Sequence, residues 1–245
     1  MAALDGLRIL DMTQYEAGTS CTQALAWLGA DVVKIEAPGT GDPGRGLAGG
    51  TTGAEYFVVW NSNKRSVAIN LAKPEGRQLL LDMVPKYDVF VENYGPGVVE
   101  RLNIDYDVMK AINPGIIYAR IKGFGVDGSW SDYKCYDMVA QAAAGAFSIT
   151  GEMEGPPMRP GPTMGDAGTG VQMALAIAAA YAVFDAEDPV ATLCELVAGY
   201  HESFPLEERE LAVVFPALCM RLCVTFVLAA ADAVERPDNN EYLLV

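Results

Sequence analysis

Residues 7–36 decide the fold of this chain, and they read LRILDMTQYEAGTSCTQALAWLGADVVKIE. The apolar run at residues 7–12 predicts a buried strand, and apolar residues at helical spacing then extend from Gly18 to Leu28. Gly29 is a typical C-terminal cap of a helix, and residues 31–36 predict a second strand. A strand, a helix and a strand in so short a stretch form a βαβ unit, whose two strands are parallel.

The same alternation continues along the chain and predicts an α/β fold. Further strands are predicted at residues 66–71, 88–92 and 115–121, with helices at 74–83, 98–102, 106–112, 137–147 and 167–184. Seven glycines in residues 38–53 predict a mobile loop. We therefore expect a Rossmann-like open sheet, mainly parallel and covered by helices.

The composition changes near residue 184. Residues 185–245 contain twelve acidic residues, three arginines and no lysine, for a net charge of −9, whereas residues 1–184 carry −6. The later segment has no clear strand and shows apolar residues at helical spacing. We predict two domains, an α/β domain over residues 1–184 and an acidic, all-α C-terminal tail over residues 185–245.

Charge and cysteine usage exclude several classes of protein. A net charge of −15 argues against nonspecific binding of nucleic acid and against adsorption to anionic membranes. No segment is typical of a signal peptide, and the longest apolar run, at residues 174–184, is too short to span a bilayer. Five irregularly spaced cysteines and one histidine, His201, predict a cytoplasmic protein with reduced thiols and no metal site.

Asp166, in the run Gly165-Asp166-Ala167-Gly168, is the strongest candidate for a catalytic residue. One interpretation is an N-cap, since Asp166 directly precedes a long predicted helix and a carboxylate accepts hydrogen bonds from exposed helical amides. The other interpretation is a covalent nucleophile, because flanking glycines allow a substrate to approach closely and an ionised carboxylate can attack a thioester. The local sequence leaves both open.

A series of short motifs occurs in a fixed order over residues 4–182. They are Leu4-Asp5-Gly6, Ala17 to Gln23, Leu28 to Glu36, Asn61 to Ser66, Pro74-Glu75-Gly76, Val91 to Gly97, Tyr136 to Gln141, Thr150-Gly151, Gly155-Pro156-Pro157 and Gly165-Asp166. Together they resemble the class III coenzyme A transferases, the family of formyl-CoA:oxalate and carnitine CoA-transferases. The resemblance implies that the partners are an acyl-CoA and a carboxylic acid, with coenzyme A as a substrate.

The resemblance also implies roles for individual residues. Asp166 matches the aspartate that forms an acyl anhydride and then a thioester with coenzyme A. The residues that match contacts to coenzyme A are Asn93, Tyr94 and Arg101, with Lys73 and Lys134 as partners for its phosphates. For both lysines the alternative is ordinary solvated surface charge, and for Lys73 the two interpretations are equally favoured. The family also implies a homodimer of interlocked subunits.

Three positions refine the comparison. Some transferases have a glutamine near the position of Glu16, and some have an arginine at the position of Ala37. Substrate choice and one contact to coenzyme A are therefore left open. Racemases of the superfamily carry a histidine just before the aspartate that matches Asp137. Here Tyr136 stands in that place, which favours a transferase over a racemase. Glu16 and Tyr136 complete the set of candidate site residues.

Family members are longer, and the tail follows another pattern. Residues 185–245 resemble a helical segment of aminoglycoside-phosphotransferase-like kinases, without an ATP-binding lobe or a catalytic loop. Three hypotheses follow: an acyl-CoA transferase that uses Asp166; a catalytically incomplete, CoA-binding or remnant chimeric protein; and, least favoured, a small-molecule kinase.

Overall fold

A computed structural model describes residues 2–49 and 55–183, together with residues 188, 195, 198 and 199. Its strands are β1 (Arg8–Met12), β2 (Asp31–Glu36), β3 (Arg65–Ala68), β4 (Val89–Glu92) and β5 (Ile117–Arg120). They form one sheet in the order β3-β2-β1-β4-β5, and every neighbouring pair is parallel. The predicted α/β fold with a Rossmann-like open sheet is therefore confirmed.

The helices lie between and after these strands. They are α1 (Ala17–Trp27), α2 (Glu55–Asn61), α3 (Pro74–Met83), α4 (Val98–Arg101), α5 (Tyr106–Ile112), α6 (Asp137–Ala143) and α7 (Thr169–Val183). Helix α2 falls in a stretch that the sequence analysis left without an element. The helix predicted over residues 137–147 instead ends at residue 143, because Gly145 adopts φ 82° and a short 3₁₀ helix, Ala146–Ile149, begins after it.

The sheet has buried apolar residues because parallel strands are covered on both faces. One large apolar cluster contains Leu10, Met12, Ile35, Ile69, Leu80, Leu81, Val84, Phe90, Val99, Ile104, Met109 and Ile116. Helix α1 contacts β1, β2 and β4, and its Cys21 and Leu25 side chains are fully buried. The order of the strands reverses between β1 and β4, where open parallel sheets form their ligand crevice.

The glycine-rich segment at residues 38–53 differs from the predicted loop. It contains a 3₁₀ helix, Pro43–Gly49, and the Asp42 side chain before it is buried. Asp42 accepts hydrogen bonds from the backbone N–H groups of Gly44, at 2.8 Å, and of Tyr15, at 3.2 Å. The buried Asp42 carboxylate therefore holds the start of a segment whose composition alone predicts a loop.

The domain prediction reaches beyond the described residues. Two units are distinguished, Met1–Ile177 and Ala178–Val245, and α7 crosses from one to the other. The predicted all-α tail at residues 185–245, with His201 and three of the cysteines, lies outside the described residues except at the four isolated positions. The boundary at residue 184 stays a prediction. In the part of the chain that the structure describes, no helix is long and apolar enough to cross a membrane.

Candidate active site

Asp166 lies in a π-helical turn, Met164–Gly168, directly before α7. The N-cap interpretation is therefore wrong, because α7 begins three residues later at Thr169 and Asp166 lies within the turn that precedes it. A π turn has a wider backbone ring than an α-helix and occurs frequently at functional sites. The turn packs between α1 and α6, and the Asp166 residue is half-buried between them.

Asp137, the first residue of α6, holds this turn in place. Its Oδ1 accepts hydrogen bonds from the backbone N–H groups of Gly165, at 2.9 Å, and of Asp166, at 3.3 Å. Its Oδ2 accepts a hydrogen bond from Gln141 Nε2 at 2.8 Å and lies 3.8 Å from an Arg159 nitrogen. Asp137 is buried, so its carboxylate fixes the backbone that carries Asp166.

Glu16 brings a third carboxyl group to the same place. It is the residue before α1 and only 4% of it is exposed, yet its side chain does not cap the helix. Its Oε1 accepts a hydrogen bond from Thr163 Oγ1, three residues before Asp166, and its Oε2 accepts one from Tyr56 Oη of α2 at 3.4 Å. Glu16 therefore connects α1, α2 and the turn of Asp166.

This environment raises the pKa of Asp166 from its ordinary 3.8 to about 6. Burial is the largest cause, and the negative charges of Glu16 and Asp137 add to it. Burial likewise raises the pKa of Glu16, with Asp137 adding to the rise and the hydroxyl of Thr163 opposing it. A carboxylate with a raised pKa is more basic, and hence more nucleophilic, than one in water, while remaining ionised at neutral pH.

Asn93 and Tyr94 follow β4 at the point where the strand order reverses, and both contact the segment that follows β1. Asn93 accepts a hydrogen bond from Gln14 N at 2.7 Å and donates one to Gln14 O at 2.8 Å. Tyr94 Oη accepts a hydrogen bond from Gln14 Nε2 at 2.8 Å. Burial raises the pKa of the Tyr94 phenol to about 12, so it stays a neutral hydrogen-bonding group.

The other candidate residues lie apart from the carboxyl groups or at their edge. Lys73 is exposed immediately before α3, Arg101 is exposed at the end of α4, and Lys134 is exposed shortly before α6. Tyr136 is the residue before α6, and its ring meets that of Tyr15 edge to face, with centroids 6.1 Å apart. The structure thus brings Glu16 and Tyr136 near the turn of Asp166; the roles of all these residues stay predictions.

Two buried ion pairs lie beneath the segment between β1 and α1. Lys64 Nζ is 3.0 Å from Asp11 Oδ2, and Lys34 Nζ is 2.9 Å from Asp42 Oδ2; all four side chains are at most 1% exposed. Lys34 also donates to Thr13 O at 2.7 Å. We call Asp11, Lys34, Asp42 and Lys64 the buried charge network.

The buried charge network supports a strained turn. Asp42 accepts a hydrogen bond from the backbone N–H of Tyr15, whose φ of 59° lies in the left-handed region that costs a tyrosine free energy. Tyr15 directly precedes Glu16, so the network fixes the backbone from which Glu16 reaches Asp166.

Sequence reasoning missed the network, Thr163 and Tyr56 as parts of the site. The one available signal was the presence of Asp11 and Lys34 inside strongly apolar strands, where an ionised side chain requires a partner. Thr163 and Tyr56 gave no such signal, because each acts through a contact with Glu16 that is distant in sequence. Thr163 lies 147 residues from Glu16, and Tyr56 lies 40 residues from it. Among the residues that the structure describes, no group of three or more His, Cys, Asp and Glu side chains could hold a metal ion.

Comparison with known proteins identifies the family of the chain. The sequence model of CoA-transferase family III matches residues 4–188. A formyl-CoA:oxalate CoA-transferase of Streptomyces avermitilis is 48% identical over 180 residues, covering 73% of this chain and 44% of that enzyme. An enzyme of the same name from Rhodopseudomonas palustris is 47% identical over 180 residues, covering 73% of this chain and 42% of that enzyme.

Solved structures show the same likeness. A CAIB/BAIF family protein from Brucella suis superposes with a TM-score of 0.68 at 35% identity, over 73% of this chain and 48% of that one. A hypothetical protein from Mycobacterium tuberculosis superposes with a TM-score of 0.68 at 34% identity, over 74% of this chain and 50% of that one. The chain spans less than half the length of these curated relatives and about half the length of these solved structures.

Proposed function

Because the chain belongs to CoA-transferase family III, we propose that it transfers coenzyme A from an acyl-CoA to a free carboxylic acid, with Asp166 as the covalent acceptor. The observation that carries the proposal is the position of Asp166, half-buried in a π turn beside Glu16 and Asp137, with its pKa raised to about 6. Such a carboxylate is ionised at neutral pH and more basic than an ordinary aspartate, as a nucleophile requires.

The proposed reaction needs no water, oxidant or metal. The Asp166 carboxylate attacks the thioester carbonyl of the acyl-CoA, the C–S bond breaks, and coenzyme A leaves as a thiolate. The thiolate then attacks the aspartyl carbonyl of the mixed anhydride, which releases the donor's carboxylate and leaves a thioester between Asp166 and coenzyme A. The acceptor carboxylate attacks the carbonyl of this thioester, its C–S bond breaks, and a second mixed anhydride forms as the thiolate leaves. The thiolate then attacks the acceptor's carbonyl in that anhydride, which forms the new acyl-CoA and releases the Asp166 carboxylate.

Two groups of residues support the binding of coenzyme A in this proposal. Asn93 and Tyr94 lie at the crevice where the strand order reverses, the common ligand position of open parallel sheets. The exposed cations Lys73, Arg101 and Lys134 have the chemistry to pair with its phosphates. We also propose that the protein acts in the cytoplasm, where acyl-CoA thioesters are substrates for soluble enzymes.

Trapping with hydroxylamine tests the covalent step. The protein is incubated with an acyl-CoA and hydroxylamine, starting with formyl-CoA because two curated relatives carry that substrate in their names. Hydroxylamine converts an aspartyl anhydride or thioester into a hydroxamate, which mass spectrometry locates on the peptide that contains Asp166. We expect the adduct in the original protein and in the control Asp107→Asn, which changes an exposed carboxylate of α5, and none in Asp166→Asn.

The absence of an adduct with formyl-CoA, oxalyl-CoA, acetyl-CoA and succinyl-CoA alike would contradict the proposal. Calorimetry with coenzyme A then distinguishes the second candidate, a CoA-binding or remnant chimeric protein. Binding without an adduct supports that candidate. The resemblance of residues 185–245 to a kinase segment stays a prediction, and a flat ATP titration would remove a kinase from consideration.

A further inference from the structure

Glu16 is a buried carboxyl group whose side chain serves neither the helix it precedes nor a cation. The backbone of Glu16 leads into α1, but the side chain makes no capping hydrogen bond there. The two groups that donate to it are the neutral hydroxyls of Thr163 and Tyr56. Burying an ionised carboxylate without a cationic partner costs free energy of folding.

The charged groups that surround Glu16 are themselves acidic. The π turn presents Asp166, and α6 presents Asp137. From α2, the Tyr56 phenol faces both Glu16 and Asp166, and these negative charges together with burial raise its pKa, so it remains a neutral donor. Arg159 is a cation at the edge of this group, and it lies 3.8 Å from Asp137 Oδ2 with nearly half of its side chain exposed. The charges of Glu16 and Asp166 therefore interact in a partly buried environment that contains little positive charge.

The hydrogen bond to Thr163 gives Glu16 a second effect. Thr163 directly precedes the π turn, so the contact ties the start of that turn to the start of α1, while Asp137 holds its middle from α6. The two carboxylates thus hold the turn from opposite helices. Removing the charge of Glu16 and removing its tie to Thr163 are separable changes, because glutamine keeps an oxygen that accepts from the hydroxyl.

We propose that Glu16 is a positioning and tuning residue for Asp166: it anchors the turn through its hydrogen bond to Thr163, and it places a second buried negative charge beside the Asp166 carboxylate. This inference rests on the proposed function for its catalytic meaning. The electrostatic coupling between the two carboxyl groups can be measured whether or not the protein catalyses a reaction. Coupling of this kind is reciprocal, so each group alters the titration of the other.

The coupling is measured by NMR titration of protein labelled with ¹³C at the Asp and Glu carboxyl carbons, between pH 4 and pH 8. The resonance of Asp166 is assigned by its loss in Asp166→Asn. In Glu16→Gln we expect the midpoint of Asp166 to fall from about 6 toward 3.8, without reaching it, because burial remains the largest cause of the shift. In Asp166→Asn we expect the midpoint of Glu16 to fall as well, and this reciprocal measurement serves if Glu16→Gln does not fold.

Thr163→Val is the matched control, since it removes the hydrogen bond and keeps both carboxyl groups. We expect it to leave the Asp166 midpoint near or above 6 while slowing adduct formation. Glu16→Gln should move the acid limb of the pH profile of adduct formation to lower pH and reduce the plateau rate several-fold, because the less basic carboxylate is a weaker nucleophile. The two variants thus separate anchoring from tuning.

The outcomes distinguish this inference from the proposed function. Unchanged midpoints in both Glu16→Gln and Asp166→Asn overturn the inference, even if the hydroxamate forms on Asp166. Reciprocal shifts without any hydroxamate support the coupling and contradict the transferase. A Thr163→Val protein that forms the adduct at the original rate overturns the anchoring part alone.

Discussion

Asp166 costs the fold free energy at neutral pH, because its ionised form is half-buried beside Glu16 and Asp137. Its pKa is raised from 3.8 to about 6. For an acid whose pKa is raised in the folded state, the stabilising effect of the bound proton is fully present below pH 3.8 and is lost as the pH rises through 6. A group that the fold disfavours in its ionised form is typical of a functional site rather than of a structural one.

The substitution Asp166→Asn should therefore stabilise the protein at neutral pH while abolishing the hydroxamate. We expect the free energy of unfolding at pH 7 to increase by about 1–2 kcal/mol. This is less than the full pKa shift would give, because Asp166 is only partly buried. The gain should shrink as the pH falls from 6 toward 4, since the original side chain then becomes neutral. Urea unfolding at several pH values measures it, and a pH-independent difference would contradict the raised pKa.

Adduct formation should also depend on pH with a single acid limb. The nucleophile is the ionised carboxylate, so the rate should rise with pH through a midpoint near 6 and reach a plateau above pH 7. A rate that is constant down to pH 4.5 would mean that Asp166 titrates as an ordinary aspartate. The measurement uses acyl-CoA at saturation, which keeps substrate binding out of the profile. It follows the covalent enzyme by mass spectrometry of quenched samples without hydroxylamine, because the protonation of hydroxylamine in the same pH range would otherwise enter the profile.

At this scale the sequence predicted Asp166 and Glu16 but not their relation. Asp166 was identified because a glycine-flanked aspartate belongs to an ordered series of motifs. The contact from Glu16 to Thr163 spans most of the described chain, and no local pattern encodes it. The N-cap interpretation was wrong because the wider π turn shifts the first residue of α7 to Thr169.

At the scale of elements, the close approach of α1 and α7 depends on Gly170. A methyl group there would lie 2.0 Å from Ser20 Oγ and 2.6 Å from Ala17 O, so α7 would have to move away from α1. Gly168, two residues earlier in the π turn, has nothing within 4 Å of the same position. The two glycines therefore form a matched pair.

We expect Gly170→Ala to destabilise the protein by about 1–3 kcal/mol, as overpacking does, and to slow adduct formation because α7 follows the turn of Asp166. Gly168→Ala should change the free energy of unfolding by less than about 0.5 kcal/mol. Urea unfolding and hydroxamate formation are measured on both. Equal effects of the two substitutions would contradict the close packing of the helices.

The buried charge network allows a second comparison between elements. Lys34→Met leaves the buried Asp42 carboxylate without its ammonium partner, so we expect a loss of about 3–5 kcal/mol. Arg65→Met breaks the pair with Asp31, whose side chains are 67% and 48% exposed, and should cost less than about 1 kcal/mol.

The double variant Lys34→Met/Asp42→Asn should recover part of the loss, because no uncompensated buried charge remains. Denaturant unfolding measures all three proteins. If Lys34→Met costs no more than the exposed pair, the network does not hold the turn at Tyr15.

The sequence predicted elements best where their pattern is long. All five strands and most helices followed from apolar runs and spacing, with ends displaced by at most three residues, except that α6 ends four residues earlier than predicted. Helix α2 and the 3₁₀ helix at Pro43–Gly49 were not predicted, because both are short and one is rich in glycine. Their structure depends on tertiary contacts such as the hydrogen bonds that Asp42 accepts.

At the scale of the whole molecule, apolar side chains remain exposed near the site. Ile149 is 87% exposed and Met153 is 95% exposed. Large apolar side chains this exposed are candidates for contact with another chain or segment. The parallel direction of the strands followed from the alternation of elements, whereas what lies on this surface could not be predicted, because association depends on residues from separate segments.

We propose that the protein forms a homodimer, as the resemblance to interlocked enzymes implies. Sedimentation equilibrium should give twice the chain mass, and the double substitution Ile149→Gln/Met153→Gln should weaken association if these side chains lie in the interface. Leu79→Gln, which changes an apolar side chain 51% exposed on α3, is the control. A concentration-independent monomer would contradict the dimer.

The burial of Lys34 and Lys64 makes these two amines natural reporters of local opening. Both side chains are 1% exposed, and the pKa of Lys64 is lowered to about 8, chiefly by burial, so a large share of it is unprotonated in mildly alkaline solution. An amine of that kind would react quickly with an acylating or alkylating reagent if the reagent could reach it. Its rate of labelling in the native protein therefore measures how often the segment between β1 and α1 opens and exposes the amine. A ligand bound at that segment should slow the labelling.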